Sequence, residues 1–311
     1  MGLQPGKGYN KHMNQMSEQL TARSGLTFIT FPLLDGTGLV RHGFSTRKGG
    51  VSTGCFESLD LSYTRGDVKE NVDENFRRAA GFFGISSADI VTGHQTHTAN
   101  IRLVTREDAG KGVTRVRDYT DVDGLITDEP GIMLCTSHAD CTPLFFVDPV
   151  HRAVGLSHSG WKGTLLKIGA HTVDRMKAAF GTDPADLVAV IGPCACGSCY
   201  EVGPELADLF LDRFGPDCLE SEPRMYSTAE AGRYGERKSG VFLRSKPDGR
   251  FLMDQKCANE RILLEAGLLP EHIAVSGYCT MERADLFYSH RRMGNARGNM
   301  AAFLMLDCVS G

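Results

Sequence analysis

The sequence has no long hydrophobic run, no excess of basic residues and no repeated or low-complexity segment. Its apolar stretches are short, such as residues 143–147, whereas a helix that crosses a bilayer needs roughly 20 apolar residues. Lys and Arg number 34 against 38 Asp and Glu, which gives a formal net charge of −4. We therefore expect neither a membrane partner nor a nucleic-acid partner.

The N-terminal residues also lack the apolar core of a secretion signal, because they are mostly polar or Gly. Ten cysteines in a chain without such a signal indicate reduced thiols rather than a disulfide framework. We therefore expect a cytoplasmic protein. Residues 1–25 are predicted to be a flexible polar leader, and residues 26–311 a single domain.

Glycine and proline occur throughout the chain with short apolar segments between them, a pattern typical of a mixed α/β fold. Apolar residues at helical spacing predict helices at 68–83, 164–180, 204–214 and 254–266. Apolar runs predict strands at 27–31, 90–92, 100–104, 132–136, 143–147, 153–157, 188–191, 272–275 and 300–306. The polar region 215–250 is predicted to be a long surface excursion.

Two apolar runs, 143–147 and 153–157, flank the turn sequence Asp148-Pro149-Val150-His151 and predict a hairpin. A two-residue loop centred between Pro149 and Val150 would place Cys141 directly opposite His158, with Cβ atoms about 4.5–5.5 Å apart. That separation lets a thiolate and an imidazole share one zinc ion. A register shift of one residue would put the two side chains on opposite faces.

A third ligand has to come from another segment, and His94 and His97 both follow the predicted strand 90–92. Three protein ligands with one open position are typical of a catalytic zinc site, whereas structural zinc usually has four. A cysteine after a strand is more often a core thiol than a ligand. A histidine near a glycine is more often a loop residue, so the residues alone leave the site open.

Short motifs in chain order extend over nearly the whole sequence and resemble those of one known family. They are Ser45-Thr46-Arg47-Lys48-Gly49-Gly50-Val51-Ser52, Gln95-Thr96-His97, Asp123-Gly124-Leu125-Ile126-Thr127, Ala139-Asp140-Cys141-Thr142-Pro143, Ser157-His158-Ser159-Gly160-Trp161-Lys162-Gly163-Thr164, Ile191-Gly192-Pro193-Cys194, Cys199-Tyr200-Glu201-Val202, and Phe287-Tyr288-Ser289-His290-Arg291-Arg292 with Ala296-Arg297-Gly298. The family is that of the laccase-domain purine nucleoside phosphorylases, also described as polyphenol oxidases or peptidoglycan editing factors. Lys162, Thr96 and His290 depart from its usual residues.

The resemblance implies a fold of mixed sheets in a sandwich flanked by helices. It also implies a catalytic metal held by His97, Cys141 and His158, which selects His97 over His94. The implied reaction is phosphorolysis of adenosine, inosine or methylthioadenosine to free base and ribose 1-phosphate, with adenosine deamination as a side activity. Zinc suits imidazole and thiolate ligands, and copper would compete for them. No feature of the sequence indicates an oligomeric state.

Several further residues are candidates for binding phosphate or the purine. Arg47 precedes a Lys-Gly-Gly sequence that could approach an anion, or that could equally be a solvated turn. Arg291, Arg292 and Arg297 suit phosphate, with surface ion pairing as the alternative. Tyr288 and Phe287 could stack on a purine, although core packing is the more common fate of a phenylalanine.

Three cysteines, Cys194, Cys196 and Cys199, form a C-x-C-x-x-C cluster. A second metal site would need a fourth ligand, and none is near in the sequence, so we expect reduced thiols packed in a loop.

Three other functions remain compatible with the sequence. Copper-dependent phenol oxidation usually needs many clustered histidines, whereas the ten histidines here include no His-x-His pair. A Cys–His hydrolase acting on peptidoglycan precursors would use Cys141 as its nucleophile. A non-enzymatic module would bind metal without turnover. Chelator sensitivity, oxygen uptake and turnover distinguish these possibilities.

Overall fold

The computed structural model describes residues 18–220 and 240–308, and these residues form three β-sheets and seven α-helices. The strands are β1 (Gln19–Arg23), β2 (Leu26–Thr30), β3 (Val40–Ser45), β4 (Ile90–Thr92), β5 (Ile101–Leu103), β6 (Gly124–Thr127), β7 (Met133–His138), β8 (Thr142–Asp148), β9 (Ala153–Ser159), β10 (Val188–Ile191), β11 (Glu201–Val202), β12 (Leu243–Ser245), β13 (Phe251–Met253), β14 (Ile273–Val275) and β15 (Met300–Leu306). The helices are α1 (Pro32–Asp35), α2 (Lys69–Phe83), α3 (Trp161–Leu165), α4 (Ile168–Phe180), α5 (Pro204–Phe214), α6 (Gln255–Glu265) and α7 (His290–Met293).

Two six-stranded sheets are mixed, and the third sheet is small. The first sheet has the order β1-β2-β3-β15-β7-β4, and only the β4–β7 pair is parallel. The second has the order β14-β10-β8-β9-β6-β5, with parallel pairs at its two edges. The third sheet, β11-β13-β12, is antiparallel.

The two large sheets pack face to face across one apolar core. Phe44 and Leu304 from the first sheet and Phe145 and Leu156 from the second belong to the same buried cluster. Such contacts between inner faces are the defining feature of a β-sandwich. The prediction of a mixed α/β fold is therefore confirmed.

Helices cover the outer faces of the sandwich. Helix α2 buries Val72, Phe76 and Ala79 against the first sheet, at the spacing that predicted it. Helices α4 and α6 cover the second sheet, and α5 packs with the small sheet around Phe210 and Phe242. The helices cover the faces of the sheets but not the ends of the strands. The loops at these strand ends line the pocket described below.

The predicted helices and strands agree with the structure to within one or two residues, with one exception among the helices. The helix predicted at 164–180 is two helices, α3 and α4, because Lys167 has a left-handed conformation (φ 58°). Apolar spacing cannot reveal a single left-handed residue. The break lets α3 lie at the pocket while α4 covers the sheet.

The sequence missed several strands and misplaced one boundary. Strand β3 contains Arg41, His42 and Gly43, which do not favour strands by themselves, and it forms because β2 and β15 pair with it. Gln19–Arg23 form β1, so the expected flexible leader over residues 1–25 is wrong for this segment. Residues 1–17 lie outside the described residues, and the single domain over 26–311 stays a prediction.

The region expected to be a surface excursion, 215–250, is partly packed. Phe242 and Leu243 are buried with α5 and α6, because β12 pairs with β13. Residues 221–239 of this region lie outside the described part of the chain.

Candidate metal centre and substrate pocket

The hairpin of β8 and β9 brings Cys141 and His158 to one face, although the predicted register was wrong by two residues. Pro143, rather than Cys141, lies opposite His158. The connecting loop has four residues because the Asp148 side chain accepts hydrogen bonds from the backbone N–H groups of Val150 and His151, each at 2.9 Å. A shift of two residues preserves the face of each side chain, so Cys141 and His158 are diagonal neighbours.

His97 completes a trio with these two residues. One ligand atom from each of His97, Cys141 and His158 lies within 4.8 Å of the others. The Cys141 Sγ atom is 3.8 Å from His97 Nε2, and the two imidazole rings are 4.9 Å apart and nearly perpendicular. Tetrahedral zinc with bonds of about 2.0–2.3 Å would separate such atoms by about 3.3–3.8 Å. The donor set and spacing therefore fit a single zinc or copper ion.

Asp123 positions both histidines of the trio. Its Oδ1 atom is 2.9 Å from His158 Nδ1, which leaves His158 Nε2 directed at Cys141. Its carboxylate also accepts the backbone N–H groups of Thr96, His97 and Thr98, and thereby holds His97 in a left-handed conformation (φ 65°). A carboxylate behind a ligating histidine is the usual support for a metal ligand. No role was predicted for Asp123, although it begins the Asp-Gly-Leu-Ile-Thr motif.

The buried charges of the trio stabilise one another. Burial opposes ionisation of Asp123, but hydrogen bonds from His158 and from backbone N–H groups lower its pKa to about 2. Burial likewise opposes the Cys141 thiolate, but His158 and His97 outweigh it and lower the pKa of Cys141 to about 6. Burial opposes the charged form of His158, but Cys141 and Asp123 raise its pKa to about 9. The same contacts that favour the Cys141 thiolate also favour the charged form of His158, and a thiolate is the form that binds metal.

Gly160 gives the trio its space. Gly160 directly follows β9 and lies opposite Cys141, one residue beyond the Thr142–Ser159 pair. A Cβ atom at Gly160 would lie 2.6 Å from His97 Cδ2 and 3.0 Å from Cys141 Sγ. The first contact is too short and the second is tight, so any side chain at this position has to displace the His97 ring.

We expect Gly160→Ala to weaken zinc binding at the trio roughly 10–100-fold, the range typical of substitutions that misorient metal ligands. Competition with a chromophoric chelator measures the affinity. Gly81→Ala is the matched control, because a Cβ atom at this helical position meets nothing within 4 Å. Equal affinity in the two variants would show that the trio tolerates the methyl group.

The trio lies in the wall of a pocket of about 860 Å³. One part of the wall is apolar, with Leu61, Tyr63 and Phe76. Polar or aromatic side chains line a further part of the wall. Arg65, His94, Arg117, Tyr200, Arg297 and Asn299 lie in loops, and His290 and Arg291 belong to α7. A wall that combines an apolar area with several cations suits a ligand with a flat ring at one end and an anion at the other.

Arg291 and Arg297 line this pocket, whereas Arg47 and Tyr288 do not. Tyr288 is fully buried, and its hydroxyl donates to the Phe56 carbonyl oxygen. The Arg47 guanidinium lies 4.7 Å from the centre of the Tyr288 ring and donates to the Glu57 carbonyl oxygen. The structure therefore corrects the prediction that Tyr288 stacks on a purine, because its ring is fully buried. Arg47 lies outside the pocket and contacts Tyr288, and phosphate binding by Arg47 stays a prediction.

Two further sequence candidates, Arg292 and Phe287, have structural roles, and two arginines that line the pocket were not predicted. Arg292 donates to the carbonyl oxygens of Met281 and Phe287. Phe287 is buried in the core, which was the alternative to purine stacking. Arg65 and Arg117 reach the pocket from loops with no motif around them, so no signal in one sequence distinguishes them from surface arginines.

The fold and site together define a class: a two-sheet α/β sandwich with a His–Cys–His group of potential metal ligands at one end of the strands. The sequence model of the family described as multi-copper polyphenol oxidoreductase laccase matches residues 41–307. The chain belongs to this family.

Curated relatives carry a different description. The chain is 36% identical over 266 residues to "Purine nucleoside phosphorylase YlmD" of Bacillus subtilis, which covers 84% of this chain and 87% of that protein. It is 35% identical over 281 residues to "Purine nucleoside phosphorylase" of Deinococcus radiodurans, covering 90% and 95%. The crystal structure of YlmD from Geobacillus stearothermophilus has 33% identity and a TM-score of 0.79, covering 94% of this chain and all of that one. The family resemblance seen in the motifs is confirmed.

None of the helices in residues 18–220 and 240–308 is long and apolar enough to cross a membrane.

Proposed function

We propose that the chain is a zinc-dependent purine nucleoside phosphorylase that acts on adenosine, inosine and methylthioadenosine, with adenosine deaminase activity at the same site. The observation that carries this proposal is the meeting of the metal-ligand trio and a group of arginines in one pocket. The names of the curated relatives support the same reaction for those proteins.

The arginine group supplies a candidate phosphate site. Arg65 and Arg297 both line the pocket, and each has a buried Nε atom that has no hydrogen-bond partner among the described residues. The two guanidinium groups repel each other, which, after burial, contributes to the lowered pKa of Arg297. An anion between them would satisfy both donors and remove the repulsion, and arginine binds phosphate through two parallel hydrogen bonds.

In the proposed reaction, a phosphate oxygen forms a bond to ribose C1′ while the bond from C1′ to the purine nitrogen breaks. The purine leaves with a proton that phosphate supplied. Arg65 and Arg297 hold and orient the phosphate, and Asp123 keeps His97 and His158 in place. Zinc held by His97, Cys141 and His158 would act as a Lewis acid that polarises the substrate or activates water for deamination.

The adenosine deaminase activity rests on the number of ligands. The trio offers three donors, and sites with three protein ligands leave a fourth position for water or substrate. Hydrolytic removal of the adenosine amino group would release ammonia and inosine.

The first test measures products with and without phosphate. Protein of known metal content is incubated with each of the three nucleosides, and the products are resolved by chromatography. Free base that forms only with phosphate, and is lost in Cys141→Ala, is the expected result. Inosine formed from adenosine in both conditions without any free base would make the chain a deaminase alone. No product from metal-containing protein would contradict both activities and favour the peptidoglycan-precursor hydrolase.

Copper-dependent phenol oxidation is less well supported. Among the described residues, two groups offer three or more potential ligands, and only the trio contains histidine, with two. Multicopper chemistry usually requires many more histidine ligands, so we expect no oxygen uptake with phenols. Zinc is the proposed metal, and copper remains the competitor for the same donors.

We expect Arg297→Met to raise the KM for phosphate about 10–100-fold, because it removes charge-assisted hydrogen bonds of about 1.5–3 kcal/mol. The same change is expected for Arg65→Met. Arg283→Met is the control, because Arg283 pairs with Asp285 on the surface and does not line the pocket. Circular dichroism first shows that each variant is folded. A phosphate KM equal to that of the control would place the phosphate elsewhere in the pocket.

We also propose a cytoplasmic location, which the ten cysteines support because all of them are free thiols in the structure.

A further inference from the structure

A second group of potential metal ligands lies outside the trio. It consists of Cys196, Cys199, Cys279 and Glu282, whose ligand atoms all lie within 4.8 Å of one another. The sequence showed only the cysteines of the C-x-C-x-x-C cluster, which were expected to be packed thiols without a fourth ligand. The fold brings Cys279 and Glu282 to them from 80 or more residues away in the chain.

The distances within this group suit one tetrahedral ion. The Glu282 Oε1 atom lies 3.6 Å from Cys196 Sγ and 3.3 Å from Cys199 Sγ. Zinc–sulfur bonds of about 2.3 Å and a zinc–oxygen bond of about 2.0–2.2 Å would separate such ligand atoms by about 3.5–3.8 Å. Only small side-chain adjustments would therefore be needed to bring all four ligands onto a common ion.

Backbone hydrogen bonds form a turn across the Cys196–Cys199 segment. The N–H groups of Cys199 and Tyr200 donate to the Cys196 carbonyl oxygen at 3.0 and 2.9 Å, which places both thiols of the C-x-x-C segment on the same side. The Cys196 N–H group donates to Cys279 Sγ at 3.4 Å. Spacing of this kind is common in structural zinc sites, and hydrogen bonds to ligand atoms orient them.

We propose that Cys196, Cys199, Cys279 and Glu282 form a structural zinc site. Four protein donors close the coordination shell, which distinguishes this site from the three-donor trio. Thiolate ligands favour zinc over hard cations. Cys196 and Cys279 are buried while Glu282 is exposed, so the site has a route to solvent. The buried Lys256 ammonium donates to the Tyr278 carbonyl oxygen, next to Cys279, and offsets part of the negative charge.

The site would join two loops that build the wall of the pocket. The loop after β10 carries Cys196 and Cys199, and the loop after β14 carries Cys279. Tyr200, next to Cys199, lines the pocket and stacks with Arg291 at 4.5 Å. Thr280, next to Cys279, donates to Asp140 at 2.6 Å. Zinc here would therefore brace the pocket without contacting the substrate, and this inference does not depend on the proposed reaction.

The test counts zinc in variants of the full chain by mass spectrometry after dialysis against zinc-buffered solution. We expect about two equivalents in the wild type, one in Cys141→Ala, one in Cys279→Ser and none in the double variant. Cys194→Ala is the matched control, because Cys194 belongs to the same motif but not to the ligand group, and it should keep two. A double variant that retains one equivalent, or a Cys141→Ala protein without zinc, would overturn the proposal.

A second measurement needs no variant and therefore stands if Cys279→Ser does not fold. Native wild-type protein is alkylated with and without a strong chelator, and the labelled cysteines are identified by mass spectrometry. We expect Cys196, Cys199 and Cys279 to be labelled only after chelation. Equal labelling of these cysteines in both conditions would overturn the proposed zinc site. Eight titratable thiols instead of ten would also overturn it, because two of the cysteines would then form a disulfide.

Discussion

Replacing Cys141 by alanine is expected to remove one equivalent of zinc and to lower kcat/KM for purine nucleosides by about a thousandfold or more. The thiolate is the only sulfur ligand of the trio, and two imidazoles alone hold zinc weakly. A Lewis acid contributes several kcal/mol to transition-state stabilisation, and each 1.36 kcal/mol is a factor of ten in rate. The protein should remain folded, since Cys141 lies at the pocket wall rather than in the core.

Two controls separate this effect from general damage. Cys55→Ala removes an exposed thiol and should leave zinc content and kcat/KM unchanged. His94→Ala removes a pocket histidine that accepts a hydrogen bond from the Asp121 backbone N–H group, and it should keep full zinc content. His97→Ala and His158→Ala should behave like Cys141→Ala. Retained zinc in any of the three would exclude that residue from the site.

Asp140→Ala is expected to lower the free energy of unfolding by about 3–5 kcal/mol. The buried carboxylate accepts hydrogen bonds from Thr280 Oγ1 at 2.6 Å, Ser289 Oγ at 3.0 Å and the Arg291 backbone N–H group at 2.7 Å. Its loss leaves the two buried hydroxyls and the partly buried Arg291 N–H group without their acceptor, at about 1–3 kcal/mol each before relaxation. Urea unfolding followed by circular dichroism in excess chelator measures the change without a contribution from zinc.

The conservative variant Asp140→Asn should cost less, because asparagine keeps one acceptor and tolerates the left-handed backbone at this position (φ 84°). Asp285→Ala is the matched control. Asp285 is an exposed partner of Arg283, and its loss should change stability by no more than about 0.5 kcal/mol. A cost for Asp140→Ala as small as that of the control would mean that water replaces the carboxylate.

Local sequence pattern was enough to predict an element whose defining residues all lie within that element. Apolar residues at helical spacing predicted α2, where Val72, Phe76 and Ala79 are buried, and α5, where Ala207, Phe210 and Phe214 are buried. The hairpin was predicted in kind but not in register, because the Asp148 side chain closes a four-residue loop in place of a two-residue one. Cys141 and His158 still share a face only because the error was an even number of residues.

Tyr288 and Arg47 show why residue type alone misassigns a pocket. Both are chemically suited to a purine and a phosphate, yet the chain packs them against each other and away from the trio. Arg65 and Arg297, from segments more than 200 residues apart, face the pocket instead. Which arginine faces a pocket depends on backbone paths that a single sequence does not specify.

The sequence by itself determined the alternation of short helices and strands, the family, and the chemical types of the trio. These depend on local spacing and on motifs that lie within a few residues of each other. Only the tertiary structure decided that Asp123 orients both histidines, and that Cys279 and Glu282 meet Cys196 and Cys199. The reason is that these contacts join loops at the ends of different strands, and sheet order, which no local pattern encodes, sets which loops become neighbours.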